Sequence, residues 1–181
     1  HFGGGIDSSE QVLLNSFLSN FESIIEDTLF GGIVKSYTKD PTSSVINTAD
    51  FFSVQEDLEE GVSLITFFGH ASSGGGFSQN IDSPNNWNNE GKYPIVIGLG
   101  CYTGDVHQRD TNSYAEQLIR PTNEGAIAFL STVKLGFTQY IGNYTQFLYK
   151  DFAKGGYGET IGQQMKNTVD TLYTIIGAGS W

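Results

Sequence analysis

The chain has 181 residues, enough for one domain with a substantial core. Its nine basic side chains against 20 acidic ones leave a formal charge of −11 with no basic cluster, so neither a nucleic-acid nor an anionic-membrane partner is expected. A single cysteine excludes a disulfide framework and a multi-cysteine zinc site, and no apolar run reaches the ~18 to 20 residues of a membrane span.

Residues 1–5, His-Phe-Gly-Gly-Gly, read as the tail of a strand already in progress, so the chain is expected to be a piece of a longer protein. No Lys-Ser or Lys-Thr pair follows the glycines, so a plain strand-to-helix turn is expected in place of a phosphate loop. Ser8 and Gln11 stand at capping-box spacing. Leu14, Leu18, Phe21, Ile25 and Leu29 then recur every three or four residues and predict an amphipathic helix of about five turns. Residues 33–38 read as a strand and 39–48 as a loop with Pro41. Phe51, Val54 and Leu58 share one face of a second helix over residues 50–60, with Gly61 able to supply a left-handed cap.

Two short runs, apolar on both faces, follow at residues 62–68 and 93–99, the pattern of strands covered on both sides of a parallel sheet. Between them, residues 71–91 obey no period, and a loop of that length in a compact domain is usually functional. A short helix over residues 113–120, a buried strand over 125–130, an aromatic-striped helix from Phe137 to Phe152 and a last helix from Ile161 to Ile176 complete the series. Strands alternating with helices imply right-handed crossovers and an α/β fold, with a mostly parallel sheet and helices on both faces. Residues 1–181 are expected to form a single domain.

The first apolar run ends in Gly69-His70-Ala71 and the second in Gly100-Cys101-Tyr102-Thr103-Gly104. The lone cysteine and one of three histidines therefore stand at the carboxyl ends of two core strands, where open α/β sheets place their ligands. A thiolate nucleophile needs a nearby base or cation, partial exposure and donors aimed at the developing oxyanion. His70 and Cys101 can meet the first two needs from neighbouring strand ends. His107 lies close enough in sequence to join them, although a loop histidine is ordinarily solvated. Asp82, Asp105 and Glu116 are candidates to orient His70 or shape a pocket, and Tyr102 and Trp87 to line one, with capping of the core as the plainer duty of Trp87. Asn143-Tyr144-Thr145 matches a glycosylation sequon on a predicted helix.

Phe67-Phe68-Gly69-His70-Ala71, Ile97-Gly98-Leu99-Gly100-Cys101-Tyr102-Thr103-Gly104-Asp105, Ser113-Tyr114-Ala115-Glu116 and residues 125–132 together resemble the His, Cys, helix and strand blocks of the gingipain-like cysteine peptidases, in the caspase-like clan. Ala71 departs from the pattern, since the family commonly has glycine there. The resemblance implies a three-layer caspase-like sandwich in which Cys101 attacks a peptide carbonyl to give an acyl-enzyme, and His70 serves as general acid/base. It also implies an oxyanion hole from the backbone N–H groups of Gly69 and Cys101. No cofactor is required for that chemistry, and calcium is a structural ion that such domains can carry. It further implies a protein or peptide substrate, other domains of a parent protein as partners, and a secreted or surface-attached bacterial location, as for the sortase of type IX secretion. A different class remains open: a peptidase-like binding or scaffolding module without turnover.

Overall fold

The computed structural model describes residues 1–43, 48–72, 76–77, 83–108 and 112–177. The chain divides into two compact units, His1–Leu14 with Ser36–Gly136, and Asn15–Lys35 with Phe137–Trp181.

The first unit is built on a five-stranded sheet of order β2-β1-β3-β6-β7, parallel at every pairing. The strands are β1 (Phe2–Gly4), β2 (Tyr37–Thr38), β3 (Leu64–Gly69), β6 (Ile95–Leu99) and β7 (Ala128–Ser131). Helices α1 (Ser8–Ile25), α2 (Thr48–Glu60) and α3 (Tyr114–Ile119) intervene. The two apolar runs become β3 and β6, and both of their faces are buried, as expected of central parallel strands. Ile65, Phe67 and Val96 share one core with Val54 and Leu58 of α2 and Tyr114 and Leu118 of α3, while Phe68, Ile97 and Leu99 on the other face are equally buried.

Four expectations change: the first helix ends at Ile25, short of Leu29, the strand read over residues 125–130 forms at Ala128–Ser131, and two other segments differ more. The strand read over residues 33–38 pairs only at Tyr37–Thr38, because it is as long as its ladder with Phe2 and Gly3 of β1; Ile33 stays 89% exposed. The loop without a period contains a short antiparallel pair, β4 (Ala71–Ser72) with β5 (Gly76–Phe77), and a 3-10 turn at Pro84–Asn86. Phe77 stacks on Phe67 at 3.9 Å between centroids and meets the Tyr114 ring edge-on at 4.7 Å, so a residue of the loop is locked into the core.

Glycine decides how closely β1 and β3 can lie. A Cβ added to Gly69 would stand 2.6 Å from the Gly4 carbonyl oxygen and 2.8 Å from its Cα. Those are backbone atoms within a ladder, so they have little room to yield.

In the second unit, the distal part of α1 supplies Phe17 and Phe21, and α4 (Thr138–Lys150) and α5 (Ile161–Ile176) follow, joined through a π-helical turn at Asp151–Gly155. Phe21 stacks on Tyr149 at 5.0 Å. Thr160 caps α5 by accepting from the Gln163 N–H. Among the described residues, no helix is long and apolar enough to cross a membrane.

The contrast between two glycines makes this packing testable by denaturant unfolding. Gly69→Ala is expected to cost about 1–3 kcal/mol through overpacking. Gly162→Ala, on a helix with open space around the new methyl, is expected to stabilise by about 0.5 kcal/mol. Equal effects of the two substitutions would contradict the close approach at Gly69.

Candidate active site

Three neighbouring strands, β1, β3 and β6, end side by side, and the chemistry-bearing residues follow their carboxyl ends. Gly4 pairs with Gly69, and Phe68 with Leu99. His70 and Cys101 each lie two residues beyond the paired Phe68 and Leu99, on backbones spaced about 4.8 Å apart within the sheet. The His70 N–H continues the ladder by donating to the Gly4 carbonyl at 3.3 Å.

The third group was not among the expected orienting acids. Glu10, in the first turn of α1 and thus just past β1, places Oε1 2.9 Å and Oε2 3.0 Å from Nε2 of His70. The carboxylate is itself held, since Oε2 also accepts from the Ile6 N–H at 2.8 Å. The Glu10 N–H donates to Asp7 Oδ1 at 2.8 Å, so Asp7 caps the helix where Ser8 was expected to. Gln11 does reach back, but to the Gly5 N–H at 2.8 Å. An ionised carboxylate only accepts, so the nitrogen facing it carries the proton and the neutral ring keeps its lone pair on Nδ1. The His70 side chain is 44% exposed and that of Glu10 25%, open enough for a substrate to reach the imidazole.

Cys101 is half-buried in a turn whose next residue, Tyr102, has φ of +60°, a left-handed conformation that costs a non-glycine residue about 1–2 kcal/mol. The segment after β7 holds that turn in place. Tyr102 N–H donates to the Lys134 carbonyl and Gly104 N–H to the Thr132 carbonyl, each at 3.0 Å, and the Thr132 hydroxyl donates to the Gly100 carbonyl. The Gly136 N–H lies 3.4 Å from the Cys101 sulfur.

With this geometry, a half-exposed thiol and a carboxylate-oriented imidazole at adjacent strand ends, the family comparison is decisive. The model of peptidase family C25 matches residues 6–180. The chain belongs to peptidase family C25.

The α/β fold of this C25 chain is the caspase-like one of solved relatives. The crystal structure of the Arg-specific cysteine proteinase gingipain R (RgpB) superposes with a TM-score of 0.69 at 12% identity, covering 96% of this chain and 40% of that one. The complex of Porphyromonas gingivalis RgpB pro- and mature domains gives 0.64 at 14%, covering 95% and 41%. A further solved protease gives 0.57 at 11%, covering 95% and 49%. The C25 chain thus spans less than half the length of each. No curated protein sequence matches it.

The departure at Ala71 has a local answer. A Cβ on Gly100 would fall 2.4 Å from the Ala71 Cβ, so the alanine methyl occupies the space that Gly100 leaves open. Other candidates are placed elsewhere. Trp87 is 3% exposed and packs in the core, the plainer of the two duties expected of it, and so does not wall a pocket. Glu116 is committed to α3: it accepts from the Ser113 backbone and hydroxyl, and those bonds hold its carboxyl below the usual range. Asp105 accepts from Gln108, and His107 is exposed in the same turn. Asp82 lies outside the described residues. Thr145 of the sequon is fully buried. Among the described residues, no three His, Cys, Asp or Glu side chains come together as a metal cage.

Long-range proton–nitrogen correlation spectra should find neutral His70 as the Nε2–H tautomer, a preference that Glu10→Ala should weaken. A dominant Nδ1–H tautomer in the unsubstituted protein would contradict the assigned pairing.

Proposed function

We propose that this C25 domain is the catalytic part of a cysteine peptidase, with Cys101 as nucleophile, His70 as general acid/base and Glu10 as the residue that orients His70. The observation carrying the reading is the row of strand ends, Glu10 after β1, His70 after β3 and Cys101 after β6, with Glu10 already bonded to the imidazole. Family membership supports the same chemistry.

In the proposed reaction the Cys101 thiolate attacks the scissile carbonyl carbon, and the carbonyl electron pair moves to oxygen. The backbone N–H groups of Gly69 and Cys101 receive that oxyanion. As the intermediate collapses, the C–N bond breaks and protonated His70 delivers its proton to the departing amine. Water, or the amine of another chain, then attacks the thioester and gives a proton to the now neutral His70; the C–S bond breaks and the thiolate returns, giving hydrolysis in the first case and transpeptidation in the second. Glu10 contributes by fixing the orientation of the ring. The substrate is a protein or peptide, and the parent protein is assigned to the bacterial cell surface or its secreted fraction.

The alternative, a peptidase-like binding or scaffolding domain, predicts no turnover in the test that follows.

The direct test is turnover of a peptide library by the protein in its full-length natural form. Cys101→Ala and His70→Ala are each expected to lower kcat/KM by at least about 10³-fold. Turnover unchanged by Cys101→Ala would contradict the proposal, and turnover unchanged by His70→Ala would remove the imidazole from the mechanism.

A further inference from the structure

We infer that the backbone N–H of Gly136 is a hydrogen-bond donor to the Cys101 sulfur, so that residues 132–136 form part of the nucleophile as well as the connection beyond β7. The inference rests on the reading of Cys101 as nucleophile and adds a group that no side chain reveals.

The geometry is built, since the segment is tied to the cysteine turn at three points. Its Thr132 and Lys134 carbonyls accept from Gly104 and Tyr102, and the Thr132 hydroxyl donates to the Gly100 carbonyl. The parallel register of β6 with β7, which runs to Gly98 opposite Ser131, is thereby carried past the strands to the level of Cys101. At the end of this tether the Gly136 N–H donates to the sulfur at 3.4 Å, and the thiol in turn can donate to the Gly136 carbonyl oxygen at 4.0 Å. Of the two contacts, the amide one is the contact that a thiolate, with no proton to give, retains. His70 follows the neighbouring strand on one side, β3, and the Gly136 amide follows the neighbour on the other, β7.

The two donors play different parts in the reaction. The imidazolium loses its proton to the leaving amine, whereas the amide N–H keeps its hydrogen throughout. It stabilises the thiolate once the proton has left the sulfur. It acts again in deacylation, when the C–S bond of the tetrahedral intermediate breaks and the electron pair returns to sulfur. A hydrogen bond to a charged acceptor is worth about tenfold or more in an equilibrium, and a backbone donor held by its neighbours needs no reorganisation to supply it. Any residue except proline can provide it, which is why no sequence motif marks it.

Iodoacetamide alkylation of Cys101, followed over pH in the full-length protein, reads the effect without requiring a substrate. Replacing the residue 136 amide by an ester, through incorporation of glycolic acid, removes the N–H while keeping the shape; Gly136→Pro removes it genetically, and Gly136→Ala keeps it. The ester form is expected to react about tenfold more slowly near neutral pH, with its rate–pH profile displaced to higher pH, and Gly136→Ala to follow the unsubstituted protein. Should Gly136→Pro fail to fold, the ester form decides. A folded ester form with unchanged rate and profile overturns the inference, leaving the Cys101 reading intact. Cys101→Ala without effect on peptide turnover overturns the Cys101 reading, and this inference with it.

Discussion

Everything proposed for the site depends on the parallel pairing of β1, β3 and β6, and above all on how closely β1 and β3 approach. Gly69 has no side chain where a Cβ would strike the Gly4 backbone at 2.6 Å. That vacancy lets the His70 N–H reach the Gly4 carbonyl and brings the first turn of α1, with Glu10, alongside the imidazole. The same economy operates one strand further, where Gly100 makes room for the Ala71 methyl. Several of the 23 glycines are thus required by close approach of neighbouring segments.

Strand order converts this packing into chemistry. Because adjacent parallel strands end at one edge, residues 60 apart in the chain, Glu10 and His70, become hydrogen-bonded partners. The pair is held more firmly than an isolated surface ion pair. Glu10 is fixed by Ile6 and Asp7 before it meets His70, so its carboxylate can orient a half-exposed ring at little additional entropic cost. In a protein with a net charge of −11, the geometry of a single first-turn carboxylate sets Glu10 apart from the other acids.

The amphipathic helices and the two doubly buried strands were legible in the sequence because their periods extend over many residues. His70 and Cys101 were legible because they directly follow those strands. Glu10 was not, since a glutamate in the first turn of a helix reads equally well as part of a cap, and only the sheet order distinguishes the two roles. The pairing of β4 with β5 was hidden because two-residue strands carry no alternation, and Phe77 looked like an isolated apolar residue in a polar loop until the Phe67 ring was found against it. Gly136 had no signature at all, as its contribution is a peptide N–H.

The central claim is that Cys101 is an activated nucleophile at a site assembled from three strand ends. Treating the full-length protein with a peptidyl acyloxymethyl ketone and mapping the adduct by mass spectrometry tests it most directly. The account predicts one thioether, on Cys101, formed rapidly in the unsubstituted protein and much more slowly in His70→Ala. A Cys101 left unmodified, or one that reacts equally fast without His70, would contradict it.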